Sequence, residues 1–109
     1  MGRPTSLKKR ADALRKSMLE SLEARGLNDW QYVDKVDEYI DFWTRRQQLR
    51  DDIQKRGVMV YDDKGRATEN RSVSLEIQTS RQMLSIFQAL GFKDIAVNAQ
   101  ATGEDYDDL

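Results

Sequence analysis

Apolar residues recur at steps of three and four along three stretches of the chain, which is the pattern of amphipathic helices. The first stretch follows Thr5 or Ser6, either of which suits an N-cap, and it stops before Gly26. Its apolar positions are Leu7, Ala11, Leu14, Met18 and Leu22. This spacing predicts a helix that reaches about Arg25.

The second stretch predicts a helix from about Asp29 to Arg56. Asn28 suits the N-cap, Gln31 three residues later completes a capping-box variant, and Gly57 follows the last turn. Such a helix is about 42 Å long at 1.5 Å per residue. Because it outreaches the first helix, we expect part of its surface to pack on another copy of the chain.

Two short segments with strand-like composition come next. The residues 58–61 and 66–69 flank Asp62-Asp63-Lys64-Gly65, which suits a type I turn with a bulge. The segment therefore predicts a β-hairpin. A lone two-stranded hairpin is marginal in water, so we expect it to pack on helices or to pair with neighbouring subunits.

The third helix is predicted from an Asn70 or Ser72 cap to Leu90-Gly91-Phe92. We take its main apolar stripe to be Val73, Ile77, Leu84 and Phe87, with Met83, Ile86 and Leu90 beside it. Ser80 fills the gap in this stripe, and a small residue there allows another helix to come close.

These elements predict a mainly α fold: three helices with a short β-hairpin between the second and third, assembled as a ring-forming oligomer. We divide the chain into a basic N-terminal arm and helix (1–25), a helix–hairpin–helix oligomerisation domain (26–97) and a disordered acidic tail (98–109). Large apolar side chains crowd the middle of the long helix, and the predicted oligomer interface consists of Ile40, Phe42 and Trp43.

Composition argues against catalysis. The 109 residues include no Cys and no His, which excludes thiolate chemistry and removes the commonest general base. The chain has no phosphate-binding P-loop, no serine-hydrolase elbow and no zinc-protease helix motif. We expect no enzyme activity, no metal and no cofactor. No apolar run suits a membrane span or a signal peptide, so a cytoplasmic protein is expected.

The net charge of −1 hides an asymmetry. Residues 1–25 hold seven basic and three acidic residues, whereas residues 98–109 hold four acids and no base. The candidate DNA-binding residues all lie in the basic head, and they are Arg3, Lys8, Lys9, Arg10, Arg15 and Lys16. Arg3 stands in Gly2-Arg3-Pro4, a tripeptide typical of minor-groove arms. The alternative reading is an ordinary solvated helix face.

A second basic cluster lies in the long helix and comprises Arg45, Arg46, Arg50, Lys55 and Arg56. Asp51 and Asp52 are interleaved with it, and Asp41 lies four residues before Arg45. Pairing at i,i+4 explains most of this pattern. The cluster, together with Lys64 and Arg66 of the hairpin, remains an alternative DNA contact.

The chain resembles phage terminase small subunits over about residues 22–95. The resemblance rests on the order and spacing of several features, one of which is Gly2-Arg3-Pro4 at the start of the chain. The other features are Trp30, Tyr39 and Trp43 in the long helix, Gly57 before Val60-Tyr61, Lys64-Gly65, Asn70 at the start of the last helix, and Leu90-Gly91-Phe92 at its end. Arg71 stands where many relatives have Pro, and Lys93-Asp94-Ile95 replaces a Pro/Ser/Arg-rich continuation.

The resemblance implies a ring-forming, non-catalytic factor that acts in the cytoplasm of an infected bacterial cell. Such a subunit binds double-stranded viral DNA and recruits and regulates the terminase large subunit, which carries the ATPase and nuclease. Two readings without this role stay open: a helical structural or assembly adaptor that binds no nucleic acid, and a small dimeric DNA-binding regulator.

Overall fold

The structure, a computed structural model, describes residues 6–92. Its elements run in the order α1 (Leu7–Ala24), α2 (Trp30–Arg56), β1 (Met59–Tyr61), β2 (Ala67–Glu69) and α3 (Arg71–Ala89). The predicted mainly α fold, with a hairpin between the second and third helices, is confirmed. Arg3 and the predicted acidic tail lie outside the described residues.

Helix α1 begins and ends as its sequence predicts. The Ser6 hydroxyl accepts a hydrogen bond from the Lys9 backbone N–H at 3.1 Å, which satisfies one of the unpaired donors of the first turn. Gly26 has φ of 77°, the left-handed conformation that stops the helix. From the apolar stripe, Ala11, Met18 and Leu22 are buried.

Helix α2 begins one residue later than the capping-box prediction, which was wrong. Asp29, not Asn28, is the N-cap, and its side chain makes no capping hydrogen bond. The Asp29 carbonyl accepts the first helical bonds, from the backbone N–H groups of Tyr32 (3.0 Å) and Val33 (3.3 Å). Asn28 and Asp29 are both residue types favoured at the N-cap, and the local sequence does not show which of the two occupies that position.

The three helices form an up-down-up arrangement around one small core. Helices α1 and α2 are antiparallel, because Arg10 lies beside Trp43 whereas Arg15 bonds to Asp37. Helices α2 and α3 are antiparallel as well. The buried cluster draws on all three helices and consists of Met18, Leu22, Val36, Ile86 and Leu90. Helix α1 therefore packs in the same core as α2 and α3. The predicted boundary between residues 25 and 26 divides the chain by expected function, DNA binding before it and oligomerisation after it, and not by separate cores.

Helix α3 turns a different face to the core than the one we took as its main stripe. Met83, Ile86 and Leu90 are buried, whereas Ile77 and Leu84 are 46% and 48% exposed. The two sets are neighbours on the helix surface, and periodicity alone does not say which set faces the core. The end of α3 is as predicted: Gly91 has φ of 78°, and the Phe92 ring stacks on that of Phe87 at 5.1 Å.

The hairpin projects from the end of the α2–α3 pair. Its turn is the predicted one, with the Gly65 N–H donating to the Asp62 carbonyl at 2.9 Å and Gly65 at φ of 77°. The strands pair in the register Met59 with Glu69 and Tyr61 with Ala67. Only Val60 of the six strand residues is half-buried, and the others are exposed. Packing on the chain's own helices is therefore slight.

A polar network at the base of the hairpin joins the end of α2 to the start of α3. The Asn70 side chain caps α3 by accepting from the Ser72 N–H at 3.0 Å, and it donates to the Gly57 carbonyl at 2.9 Å. The Asp52 carboxylate accepts from Arg56 at 2.7 Å, from the Ser72 hydroxyl at 2.7 Å and from the Asn70 amide at 3.1 Å. These bonds hold the pKa of Asp52 well below its usual range, with that from Arg56 contributing most.

Candidate nucleic-acid interface

An open groove of 720 Å³ lies where the N-terminal end of α1 meets the C-terminal half of α2 and the start of α3. Three arginines from two helices reach it: Arg10, Arg46 and Arg50. Gln47 and Gln54 add hydrogen-bonding side chains to the wall. We call this feature the basic groove, although Asp51 and Glu76 also line it and offset part of its charge.

The three arginines of the basic groove differ in the contacts that their guanidinium groups make within the chain. Arg46 donates to the Glu76 carboxylate at 2.9 Å, and both side chains are mostly buried. The Arg10 guanidinium lies 6.0 Å from the ring centre of Trp43. Neither Arg10 nor Arg50 takes part in an ion pair among residues 6–92. Both charges are therefore left for an anionic ligand, and Arg50, unlike Arg10, lies over no aromatic ring of those residues.

The predicted DNA-binding residues of α1 fall into two groups. Lys8 pairs with Asp12 at 3.2 Å and Lys16 pairs with Glu20 at 4.0 Å, both on the exposed surface of one helix. Lys9 is exposed and joins no ion pair among the described residues. Exposed pairs of this kind contribute at most about 1 kcal/mol, so a phosphate can displace the carboxylates. These three lysines form a cationic strip along α1.

Arg10 and Arg15, in contrast, hold α1 against α2. The Arg15 guanidinium donates to the Asp37 carboxylate, which raises the pKa of Arg15 through this hydrogen bond and through the charge of the carboxylate. Arg10 covers Trp43. Their predicted role in DNA binding stays a prediction, but both side chains also have an internal partner. The predicted contact of Arg3 lies outside the described residues.

The second basic cluster is paired internally for the most part. Lys55 bonds to Asp51 at 3.1 Å and Arg56 to Asp52 at 2.7 Å, as i,i+4 spacing predicts. The expected pair between Asp41 and Arg45 is not among the ion pairs of the described residues. The Arg45 guanidinium lies instead 5.6 Å from the ring centre of Phe42, where it covers an apolar surface.

The predicted oligomer interface residues are all half-buried within one protomer. Ile40 and Phe42 pack against the core cluster, and Trp43 lies beneath Arg10. Part of each side chain is therefore already used inside the subunit. The large apolar side chains that stay most exposed are elsewhere: Trp30 at the start of α2 is 77% exposed, and Tyr61 in the hairpin is 74% exposed.

Two other kinds of site are not found in the described part of the chain. Residues 6–92 contain no cluster of three or more acidic side chains placed to hold a metal ion. No helix among those residues is both long and apolar enough to cross a bilayer.

Comparison with known protein families gives one match. The model of the family described as phage terminase, small subunit, matches residues 11–103, which is most of the chain. The chain belongs to the phage terminase small-subunit family. Comparison with curated proteins and with solved structures finds no match.

Membership of this family makes the chain a small subunit of a phage DNA-packaging terminase. The match begins at Ala11, inside α1, and therefore includes the part of this helix that carries Arg15 and Lys16 but not Lys8, Lys9 and Arg10. Sequence reasoning missed Arg50 as a leading candidate, because its neighbours Asp51 and Asp52 suggested local pairing.

Proposed function

We propose that this terminase small subunit is the non-catalytic DNA-recognition component of the packaging machinery. It binds double-stranded viral DNA in the cytoplasm of the infected cell. It also recruits and regulates the large subunit, which supplies the ATPase and nuclease. Family membership supports this role.

One structural observation carries the DNA-binding part of the proposal. Helix α1 carries the exposed lysines of the strip, and through Leu7 and Arg10 it also supplies one wall of the basic groove that Arg50 lines. A duplex that runs along α1 meets Lys8, Lys9 and Lys16, and Arg50 offers a separate phosphate contact. Contacts of this kind bind phosphates and position the protein without reading bases.

A ring explains how a chain with a net charge of −1 binds DNA. Each protomer offers only a few phosphate contacts, which are weak by themselves. Several protomers held on one duplex add their contacts, because the later ones bind at high effective concentration. Affinity therefore depends on assembly as well as on charge.

Duplex binding across a salt series tests the phosphate contacts. The triple variant Lys8→Ala/Lys9→Ala/Lys16→Ala removes the strip while leaving the core untouched. We expect the slope of log K against log salt to flatten by about 0.9 for each phosphate that the variant no longer neutralises. Lys35→Ala is the matched control, because Lys35 is an exposed lysine of α2 that pairs with Glu38 at 3.0 Å. It should leave the slope unchanged.

Arg50→Ala tests the basic groove separately. We expect it to flatten the slope further when combined with the lysine variant, since the two sites bind different phosphates. An unchanged slope in both variants would place the DNA contact elsewhere, with Lys64 and Arg66 of the hairpin next in line. A ring that binds no DNA at any salt concentration would favour the assembly-adaptor alternative.

Recruitment of the large subunit is tested by its ATPase activity. We expect the assembled small subunit to change the DNA-dependent ATPase rate of the large subunit. Native mass measurement of the small subunit alone gives the oligomeric state in the same preparation. A rate that never responds to the small subunit would refute the regulatory part of the proposal.

A further inference from the structure

Helix α3 carries an apolar face that the protomer covers only in part. It consists of Val73, Ile77, Ser80 and Leu84, spaced by four, three and four residues, and we call it the apolar ridge. Ile77 and Leu84 are about half exposed, whereas Val73 and Ser80 are half-buried. The ridge contains no charged residue. Alternating steps of three and four mark a surface that packs along another helix or between two helices.

The centre of the ridge is shaped for close approach. Ser80 is small, and its hydroxyl donates to the Glu76 carboxylate at 3.3 Å. The hydroxyl is thus satisfied within its own helix, so covering it leaves no unpaired polar group. A larger residue at this position would hold a neighbouring helix away from Ile77 and Leu84.

The opposite flank of the α2–α3 pair carries a complementary groove. It has a volume of 450 Å³ and is lined by Phe42 and Leu49 of α2 and by Leu75, Gln78 and Gln82 of α3. We call it the α2–α3 groove. Phe42, Leu49 and Leu75 are only half-buried and form an apolar wall between the two helices, with the Arg45 guanidinium beside the Phe42 ring. Arg45 and Arg81 also line this groove.

Ridge and groove lie on opposite sides of α3. Successive residues of a helix advance by about 100°. Leu75 and Ile77 are therefore separated by about 200° around the axis, as are Gln82 and Leu84. A single chain thus displays a ridge on one flank and a groove on the other, which is the arrangement that a repeating contact between identical copies requires.

We propose that the apolar ridge of one protomer packs into the α2–α3 groove of the next. The occupant is a second copy of this chain, because the chain itself supplies both complementary surfaces. The contact is heterologous: each protomer donates its ridge to one neighbour and receives the ridge of the other. Contacts of this type close into rings when the rotation between copies permits. The inference rests on the proposed ring and names its interface.

The size of the contact favours a closed ring over a pair. A 19-residue helix is about 28 Å long and about 10 Å wide, so one ridge covers a modest area. In a closed ring every protomer makes two such contacts, whereas in an open pair it makes one. The protomer loses its rotational freedom once in either case. Open pairs should therefore be sparse, and assembly should be steep in concentration.

Two double variants test the apolar ridge and the α2–α3 groove separately and leave the core residues unchanged. Ile77→Lys/Leu84→Lys makes the ridge cationic, and Gln78→Lys/Gln82→Lys crowds the groove with cations beside Arg81. All four positions are exposed in the protomer, so each variant should keep the helical content of the natural chain. Trp30→Ala is the matched control, since it removes a large exposed apolar side chain that belongs to neither surface.

The decisive experiment mixes the two variants and measures native mass. Each variant alone should need at least about tenfold more protein to assemble than the natural chain. At protein concentrations well above those at which the natural chain assembles, the mixture should form a complex of one copy of each and nothing larger, because only one intact ridge and one intact groove remain. Trp30→Ala should assemble like the natural chain.

Three results would overturn the inference. If either double variant assembles like the natural chain, the interface is elsewhere and the ring still stands. If only the ridge variant dissociates, ridge meets ridge or another surface. If the natural chain is monomeric at all concentrations, both this contact and the proposed ring fail, while DNA binding by single protomers is judged separately from the salt series.

Discussion

Replacement of Asn70 by alanine should be among the most damaging polar substitutions in this chain. The Asn70 side chain is fully buried. Its amide nitrogen donates to the Gly57 carbonyl at 2.9 Å and to Asp52 at 3.1 Å, while its oxygen accepts from the Ser72 N–H at 3.0 Å and from Arg56 at 3.1 Å. Both donors and both lone pairs of the amide are thus used.

The expected loss in the free energy of unfolding depends on which partners of Asn70 lose a hydrogen bond. Loss of the N-cap of α3 costs about 1 kcal/mol. The Gly57 carbonyl is left without this donor, which costs about 1–3 kcal/mol more. Asp52 and Arg56 reach solvent and recover part of their loss from water. We therefore expect Asn70→Ala to lower the free energy of unfolding by about 3 kcal/mol.

Urea unfolding followed by far-ultraviolet circular dichroism measures this loss. Protomer concentration must be equal in all samples, because assembly adds to apparent stability. Asn28→Ala is the matched control: Asn28 also precedes a helix, but it is exposed and is not the N-cap of α2. It should change the free energy of unfolding by less than about 0.5 kcal/mol. Equal losses in the two variants would refute a special role for the Asn70 network.

Three further predictions concern the core and its polar ties. Arg25→Ala should cost about 1–2 kcal/mol in urea unfolding, because its guanidinium donates to backbone carbonyls at the end of α3 and lies 5.2 Å from the ring centre of Phe92. Hydrogen bonds lower the pKa of Asp52, so its contribution to stability is complete above the unfolded-state pKa of about 3.9 and is lost as pH falls through the folded-state value. The difference in unfolding free energy between the natural chain and Asp52→Asn should therefore be constant from about pH 5 to 7 and shrink below about pH 4. Ile86→Ala should cost about 2–5 kcal/mol, and Ile77→Ala less than half as much in dilute protomer, since only Ile86 is buried.

The local sequence determined where the elements lie and how most of them end. Ser6 and Asn70 have short polar side chains that cap a helix, and Gly26, Gly57 and Gly91 take positive φ at helix ends. The turn at Gly65 is equally local. These features depend on hydrogen bonds and torsion angles within a few residues, so they can be read without knowing the tertiary structure. The order and spacing of these elements also carried the family resemblance.

The tertiary structure alone decided which of two neighbouring faces became the core of α3 and which charges stayed free. Ile77 and Ile86 are equally apolar, and only the position of α1 and α2 buries the second and exposes the first. Arg46 finds Glu76 thirty residues away, whereas Arg50, one turn further, finds no acidic partner among residues 6–92. Burial and ion pairing of this kind depend on distances between helices, and helical periodicity constrains only positions within one helix.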